Sequence, residues 1–144
     1  MTSRLAFAGR ARRPLVAALA LVLTAACSNP SETLGPDNNV QVTNLVGHFQ
    51  LTADNIQNVT TTMTFKWQNP GTYAAIQHLS FAPHGTTLLI LNDADGTEVY
   101  RQKLLYEEDD RSLDGTPGEW TVTFSLDQTV AQINVIIDSA TAAD

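Results

Sequence analysis

The chain has 144 residues, in which 15 acidic side chains outnumber eight lysines and arginines and give a formal net charge of −7 at pH 7. This length corresponds to one domain. The negative charge repels phosphate backbones, so the composition disfavours sequence-independent nucleic-acid binding and predicts no nucleic-acid partner. The chain has one cysteine, which excludes an internal disulfide.

The first 26 residues have the layout of a secretory signal peptide. Arginines at positions 4, 10, 12 and 13 precede an uncharged run of apolar and small residues at 15–26. This run is shorter than the roughly 20 residues that cross a bilayer, and a polar stretch follows it. We therefore predict that residues 1–26 are removed, which leaves four basic against 15 acidic side chains.

The end of this segment, LTAAC at residues 23–27, resembles the lipobox of bacterial lipoproteins. In that family, small residues precede a cysteine that is diacylated before the signal peptide is cut. The resemblance implies a lipid on Cys27 that attaches the protein to a membrane, since two or three acyl chains anchor firmly. The alternative is an ordinary signal peptide cut near Ala26. Ser28 is the kind of residue that in many Gram-negative lipoproteins permits transfer to the outer membrane, which implies export across the inner membrane to that location.

The remaining chain divides into a tether and a strand-rich domain. We predict that residues 27–39 form a lipidated flexible tether, because they are rich in Ser, Pro, Asn and Gly and show no hydrophobic periodicity. We predict that residues 40–144 form a domain of short strands. The clearest strand pattern is at residues 59–67, where apolar residues alternate with threonine.

The predicted strands are 45–52, 59–67, 72–81, 86–91, 99–106, 120–126 and 132–138, and the predicted polar loop is 107–118. About seven strands and no amphipathic helix predict an all-β domain. We expect an antiparallel β-sandwich, of either the immunoglobulin-like or the jelly-roll kind.

Two segments resemble the bacterial pre-peptidase C-terminal type of β-sandwich. LLILNDADGTEVY at residues 88–100 supplies an apolar strand, an Asp and Gly turn and a second strand. After a variable loop, GEWTVTF at 118–124 supplies Gly, an aromatic residue and alternating Val. Members of this type are mostly accessory domains without catalysis, so the resemblance implies a non-catalytic role here.

The turn within the first of these segments carries candidate calcium ligands, Asp93, Asp95 and Glu98. An EF-hand loop needs Glu at its twelfth position, and the twelfth residue counted from Asp93 is Leu104, so that motif is excluded. The competing interpretation is a hairpin turn in which Asp and Gly take left-handed φ values. Calcium held jointly with the 107–114 loop stays open.

The sequence of the predicted domain contains no recognised catalytic motif. GxSxG, HExxH and a phosphate-binding glycine loop are missing from the sequence. His48, His78 and His84 are too scattered to predict a zinc site. We therefore predict that the protein is not an enzyme and uses no cofactor.

The aromatic residues raise the possibility of a binding face for carbohydrate or peptide. Trp67 and Trp120 begin or end apolar strand faces, which predicts a place in the core. Tyr73, Tyr100 and Tyr106 have one polar end and are the better surface candidates.

Together these features predict a membrane-anchored lipoprotein of the bacterial cell envelope. It would act as a non-catalytic binding or structural accessory subunit with a protein partner in the envelope. A glycan- or calcium-binding β-sandwich module is the alternative, and a small hydrolase is the third hypothesis.

Overall fold

The computed structural model describes residues 34–141, most of which belong to seven antiparallel strands. A 3-10 helix at Pro36–Asn38 precedes them. The strands are β1 (Gln41–Leu45), β2 (His48–Asn69), β3 (Tyr73–His78), β4 (Phe81–Asn92), β5 (Glu98–Lys103), β6 (Glu108–Arg111) and β7 (Gly118–Ala140). Within this described part of the chain, no helix is long and apolar enough to span a membrane.

β2 and β7 form a long two-stranded ribbon. They pair from His48, opposite Asp138, to Asn69, opposite Gly118. A straight strand of this length would extend about 70 Å. The ring centroids of Phe49 and Phe65, at the two ends of β2, are nevertheless 5.4 Å apart. The ribbon therefore folds back on itself and places its two halves face to face.

The fold-back occurs where three register shifts interrupt the β2–β7 ladder, within residues 53–61. Bulges of this kind bend a strand and increase its twist. Non-glycine residues with left-handed φ values lie at the same place: Asn55, Asn58 and Gln128, at 50°, 51° and 47°. We call residues 54–60, 81–85 and 127–132 the bend end of the molecule. The opposite turn end consists of residues 46–47, 70–72, 93–97 and 112–117.

Gly85 allows β4 to pack closely against β7 at the bend end. Its φ is 76°, and a Cβ atom there would collide with the carbonyl oxygens of Asp127 and Gln128. Glycine is the residue that tolerates both conditions.

The folded ribbon contributes to both layers of a β-sandwich. The first layer contains β1, residues 48–53 of β2, residues 133–140 of β7, β3 and β6. The second layer contains residues 59–69 of β2, residues 118–127 of β7, β4 and β5. The predicted antiparallel β-sandwich of about seven strands is confirmed.

The inward side chains of the two layers form one core. Trp67 and Trp120 are fully buried and meet edge to face, with ring centroids 6.0 Å apart. Their predicted place in the core is therefore confirmed. Edge-to-face contact of this kind adds about 0.5–1.5 kcal/mol to the burial of the two rings.

The outer face of the second layer is rich in hydroxyl groups. The cross-strand pairs are Thr62 with Ser125, Thr64 with Thr123 and Lys66 with Thr121. We call the surface formed by Thr62, Thr64, Thr121 and Thr123 the threonine face. The predicted alternation of residues 59–67 thus separates a core side from a solvent side, as expected.

The predicted strand boundaries were wrong in several places. Segments 45–52 and 59–67 belong mainly to one strand, β2, and 120–126 and 132–138 both belong to β7, because the ribbon stays paired through its bulges. The predicted strand 72–81 breaks after His78, and Phe81 begins β4.

Two edge strands were not predicted. The predicted loop 107–118 contains β6, and all of β1 except Leu45 precedes the first predicted strand. All residues of both strands are solvent-exposed. Neither strand therefore has the buried side that creates an alternating pattern.

We expect Phe124→Ala to lower the free energy of unfolding by about 3–5 kcal/mol, because it removes a fully buried ring from the aromatic cluster with Phe49 and Phe65. The matched control is Thr123→Ala, on the threonine face of the same strand, for which we expect a change below about 1 kcal/mol. Urea unfolding measures both, and similar losses for the two variants would contradict the assignment of the strand's faces.

Candidate functional site

A groove of about 400 Å³ opens at the bend end. Three strands contribute to it. Its lining residues are Asp54, Asn55 and Gln57 from β2, Phe81 and Pro83 from β4, and Val130, Ala131 and Gln132 from β7. Carboxylate, amide and apolar groups therefore share one open surface.

The bulges of the ribbon place the polar side chains in this groove. At the first register shift, Asp54 and Asn55 of β2 stand opposite a single residue of β7, Gln132. A bulged residue can turn its side chain away from the regular alternation of a strand. Asn55 has a left-handed φ, which asparagine adopts more readily than most residues.

β4 supplies the apolar side of the groove from a bulge of its own. Its ladder with β7 shifts between Phe81 and His84, so that Ala82 and Pro83 stand opposite Ala131. Proline is compatible with a bulge because no ladder hydrogen bond is required of its nitrogen. Phe81 is 55% exposed. A large apolar ring is thus held in water beside polar side chains.

The N-terminal helical turn fixes the β2 side of the groove. The Asn38 Nδ2 group donates to the carbonyl oxygens of Asp54 and Asn55, at 3.3 and 2.9 Å. These hydrogen bonds satisfy backbone acceptors at the bulge. The backbone of Asp54 and Asn55 is therefore held in place while their side chains remain exposed.

Two of the candidate calcium ligands, Asp93 and Asp95, lie together at the turn end, and the third, Glu98, lies apart from them. Asp93 and Asp95 line a recess together with Asp114. Glu98 lines a different groove and makes a two-point salt bridge with Arg101, at 2.8 and 2.6 Å. Over residues 34–141, no group of three or more His, Cys, Asp or Glu side chains is arranged to hold a metal ion.

Backbone N–H groups satisfy the carboxylate of Asp93. Its Oδ1 atom accepts from Asp95 and Thr97 at 3.0 and 2.8 Å, and its Oδ2 atom accepts from Thr116 at 3.0 Å. The hydrogen bond from Thr116, with those from Thr97 and Asp95, holds the pKa of Asp93 below its ordinary value despite desolvation. Asp93 therefore ties the β4–β5 hairpin to the loop before β7. In this turn Gly96 takes the expected left-handed φ, at 82°, and Asp93 and Asp95 do not.

The three histidines lie apart from one another. His48 is on the outer face of β2, with its Nδ1 atom 2.7 Å from Asp138 Oδ1. His78 is fully buried on β3, and His84 is exposed at the bend end.

One of the tyrosine predictions was wrong. Tyr100 pairs with Leu91 on the inner side of β5 and is 8% exposed, so it is not a surface residue. Burial raises the pKa of its hydroxyl, with a further effect from the nearby Asp110 carboxylate. Tyr106 is exposed, and Tyr73 is partly covered by the Arg111 guanidinium, 4.0 Å from the ring centroid.

Sequence reasoning missed the groove and its exposed ring. The predicted strand 72–81 placed Phe81 on the same side as Tyr73 and Leu79, without a functional role. The one signal in the sequence was ADNIQN at 53–58, where polar residues interrupt the alternation. The predicted signal peptide, Cys27 and the first part of the tether lie outside the described residues.

No family model matches the chain, and no curated protein matches it. The solved structures that it resembles are distant. A family 35 carbohydrate-binding module from an environmental isolate has a TM-score of 0.41 and 12% identity, over 81% of this chain and 92% of that one. A CBM4 structure has a TM-score of 0.32 and 11% identity, over 72% of this chain and 76% of that one.

A glycoside hydrolase family 43 arabinoxylan arabinofuranohydrolase from Bacillus subtilis has a TM-score of 0.35 and 13% identity, over 78% of this chain. The match spans 24% of that enzyme. Structural similarities with TM-scores this low do not indicate a ligand or an activity for this chain. Its function must therefore be inferred from the residues of the groove.

We expect Asp93→Asn to be about 1–3 kcal/mol less stable than the wild type at pH 7. Three backbone N–H groups donate to the two carboxylate oxygens of Asp93, whereas the amide of asparagine has one oxygen that can accept. The pKa of Asp93 is lowered by folding, so its stabilisation is complete above about pH 5 and is lost as the pH falls through the folded-state pKa. The difference between the two proteins should therefore close on acidification.

Urea unfolding from neutral pH to about pH 2.5 measures this difference. The exposed residue Asp109 offers a control, since Asp109→Asn removes an equal charge without removing a buried hydrogen-bond network. A stability gap between wild type and Asp93→Asn that stayed constant with pH would contradict the role given to this carboxylate.

Proposed function

We propose that this protein is a non-catalytic, carbohydrate-binding β-sandwich module that holds a sugar chain in the groove at the bend end. The proposal rests mainly on the exposure of Phe81. Its aromatic ring is more than half exposed and lines the groove together with Asp54, Asn55 and Gln132. An exposed aromatic residue flanked by fixed polar groups is a typical arrangement for orienting a small ligand.

The chemistry of the groove matches the two kinds of surface on a sugar ring. The C–H face of a sugar is apolar and can stack on an aromatic ring such as Phe81. Its hydroxyl rim both donates and accepts hydrogen bonds. The side-chain amides of Asn55, Gln57 and Gln132 can do the same, and Asp54 can accept.

The groove supports binding better than hydrolysis. Glycoside cleavage generally uses two carboxyl groups on either side of the scissile bond. The lining of the groove contains one, Asp54. The small-hydrolase hypothesis therefore gains no support from this site.

The N-terminal segment adds a proposed location. A lipid on Cys27 would attach the module to a membrane, and the seven residues from there to Leu34 reach at most about 25 Å. Because Asn38 is bonded to the bulge, the bend end would stay near that membrane. A binding module in this position would hold a glycan at the cell envelope. An envelope protein partner remains a further hypothesis.

We expect Phe81→Ala to weaken glycan binding about five- to thirtyfold, because a stacked aromatic ring contributes about 1–2 kcal/mol. Tyr106→Ala is the matched control, since Tyr106 is also an exposed aromatic residue but does not line the groove. A glycan array with the wild type selects the ligand, and calorimetry measures its affinity for each variant. If the array shows no bound glycan, or if Phe81→Ala binds as the wild type does, the proposed function is wrong.

We expect Cys27→Ala to remove the protein from the membrane fraction of a bacterial expression host, because the thiol that accepts the lipid is lost. Fractionation and mass spectrometry of the mature N-terminus test this. An unmodified cysteine, or a mature chain that begins elsewhere, would exclude the anchor and leave the glycan proposal unaffected.

A further inference from the structure

The groove at the bend end carries negative charge that no basic side chain in its lining offsets. Asp54 is the one lysine, arginine, aspartate or glutamate among its lining residues. Residues 34–141 contain four lysines and arginines, and none of them lines the groove. They are Lys66, Arg101, Lys103 and Arg111.

Three of these four cations are already paired with acidic groups elsewhere. Lys66 lies 3.5 Å from Glu119. The Arg101 and Arg111 guanidinium groups form ion pairs with Glu98 and Asp114, at 2.6 and 2.9 Å. Their charges are therefore partly offset by these acidic neighbours, none of which lines the groove.

The backbone at Asp54 is held by hydrogen bonds, and its carboxylate belongs to the lining of the groove. The hydrogen bonds from Asn38 hold the carbonyls of Asp54 and Asn55, and the bulge sets both residues opposite Gln132. Asp37 precedes Asn38 in the sequence and adds another carboxylate to this end of the molecule. His84 is the one exposed basic side chain on the adjacent part of β4.

We infer that Asp54 determines the charge selectivity of the groove, so that it accepts uncharged sugars and amino sugars and rejects uronates. This inference rests on the proposed glycan-binding function. The carboxylate of a uronate would lie near Asp54 without a cation to offset the repulsion, whereas a protonated amino group would be attracted. The neighbouring amides of Asn55, Gln57 and Gln132 hydrogen-bond to a sugar of any charge, so they do not reverse this order.

Matched oligosaccharides test the inference at pH 7.5 and low salt. The probes are gluco-, manno- and galacto-configured chains of equal length, each in neutral, 2-amino and 6-carboxylate form. In the series that binds, we expect the uronate to bind at least about fivefold more weakly than the neutral sugar and the amino sugar to bind more tightly. Added salt should reduce both differences, because Asp54 is exposed to solvent.

Asp54→Asn separates the charge from the shape of the groove. Within residues 34–141 no hydrogen bond of the fold uses the Asp54 side chain, so we expect the variant to fold as the wild type does. Because Asp54 can accept hydrogen bonds from a sugar, the variant should bind the neutral sugar more weakly than the wild type does. The ratio of neutral-sugar affinity to uronate affinity should fall about three- to tenfold, because the repulsion of the uronate is removed. Asp109→Asn, which removes an equal charge from β6, is the control and should leave the order of affinities unchanged.

The outcomes separate the inference from the function on which it rests. If no glycan on the array and none of these series binds, both are wrong. If the neutral sugars bind but uronates bind equally well or better, or if Asp54→Asn leaves the discrimination as it was, the glycan-binding function stands and the role of Asp54 is wrong.

Discussion

The pairing of β2 with β7 is the constraint on which the rest of the structure depends. These two strands stay hydrogen-bonded through a fold-back, and so each contributes to both layers of the sandwich. The contact between Phe49 and Phe65 joins the two halves of β2 across the core. β1, β3 and β4 pair with this ribbon directly, whereas β5 and β6 pair with β4 and β3. A defect in the ribbon would therefore affect both layers at once.

The same fold-back creates the candidate site. A ladder cannot bend this far without bulges, and a bulge takes residues out of the regular alternation of buried and exposed positions. Here those residues are Asp54 and Asn55, which enter the groove beside Phe81. The turn end is different, since the Asp93 carboxylate there is occupied by backbone N–H groups. At the turn end the Asp93 side chain stabilises the fold, whereas the side chains of Asp54 and Asn55 in the groove are exposed to solvent.

The sequence predicts features that depend on neighbouring residues better than features that depend on residues far apart in the chain. The alternation at 59–67 and the positions of Trp67 and Trp120 report burial on one side of a strand, so the β-sandwich and its core could be predicted. The continuity of β2 and the groove could not, because both depend on pairing between residues about 70 to 80 positions apart. Phe81 shows the limit most clearly. Its exposure is set by the break after His78 and by the bulge in β4, and although Pro83 and Gly85 mark an interruption there, they do not show which way the ring faces.

The most direct test of glycan binding at the bend end is an NMR titration of the 15N-labelled domain with the sugar selected on the array. We predict that the largest shifts fall on the side-chain amides of Asn55, Gln57 and Gln132 and on the backbone of Phe81. Shifts centred on the threonine face, or on the turn end around Asp93, would contradict the assignment of the site.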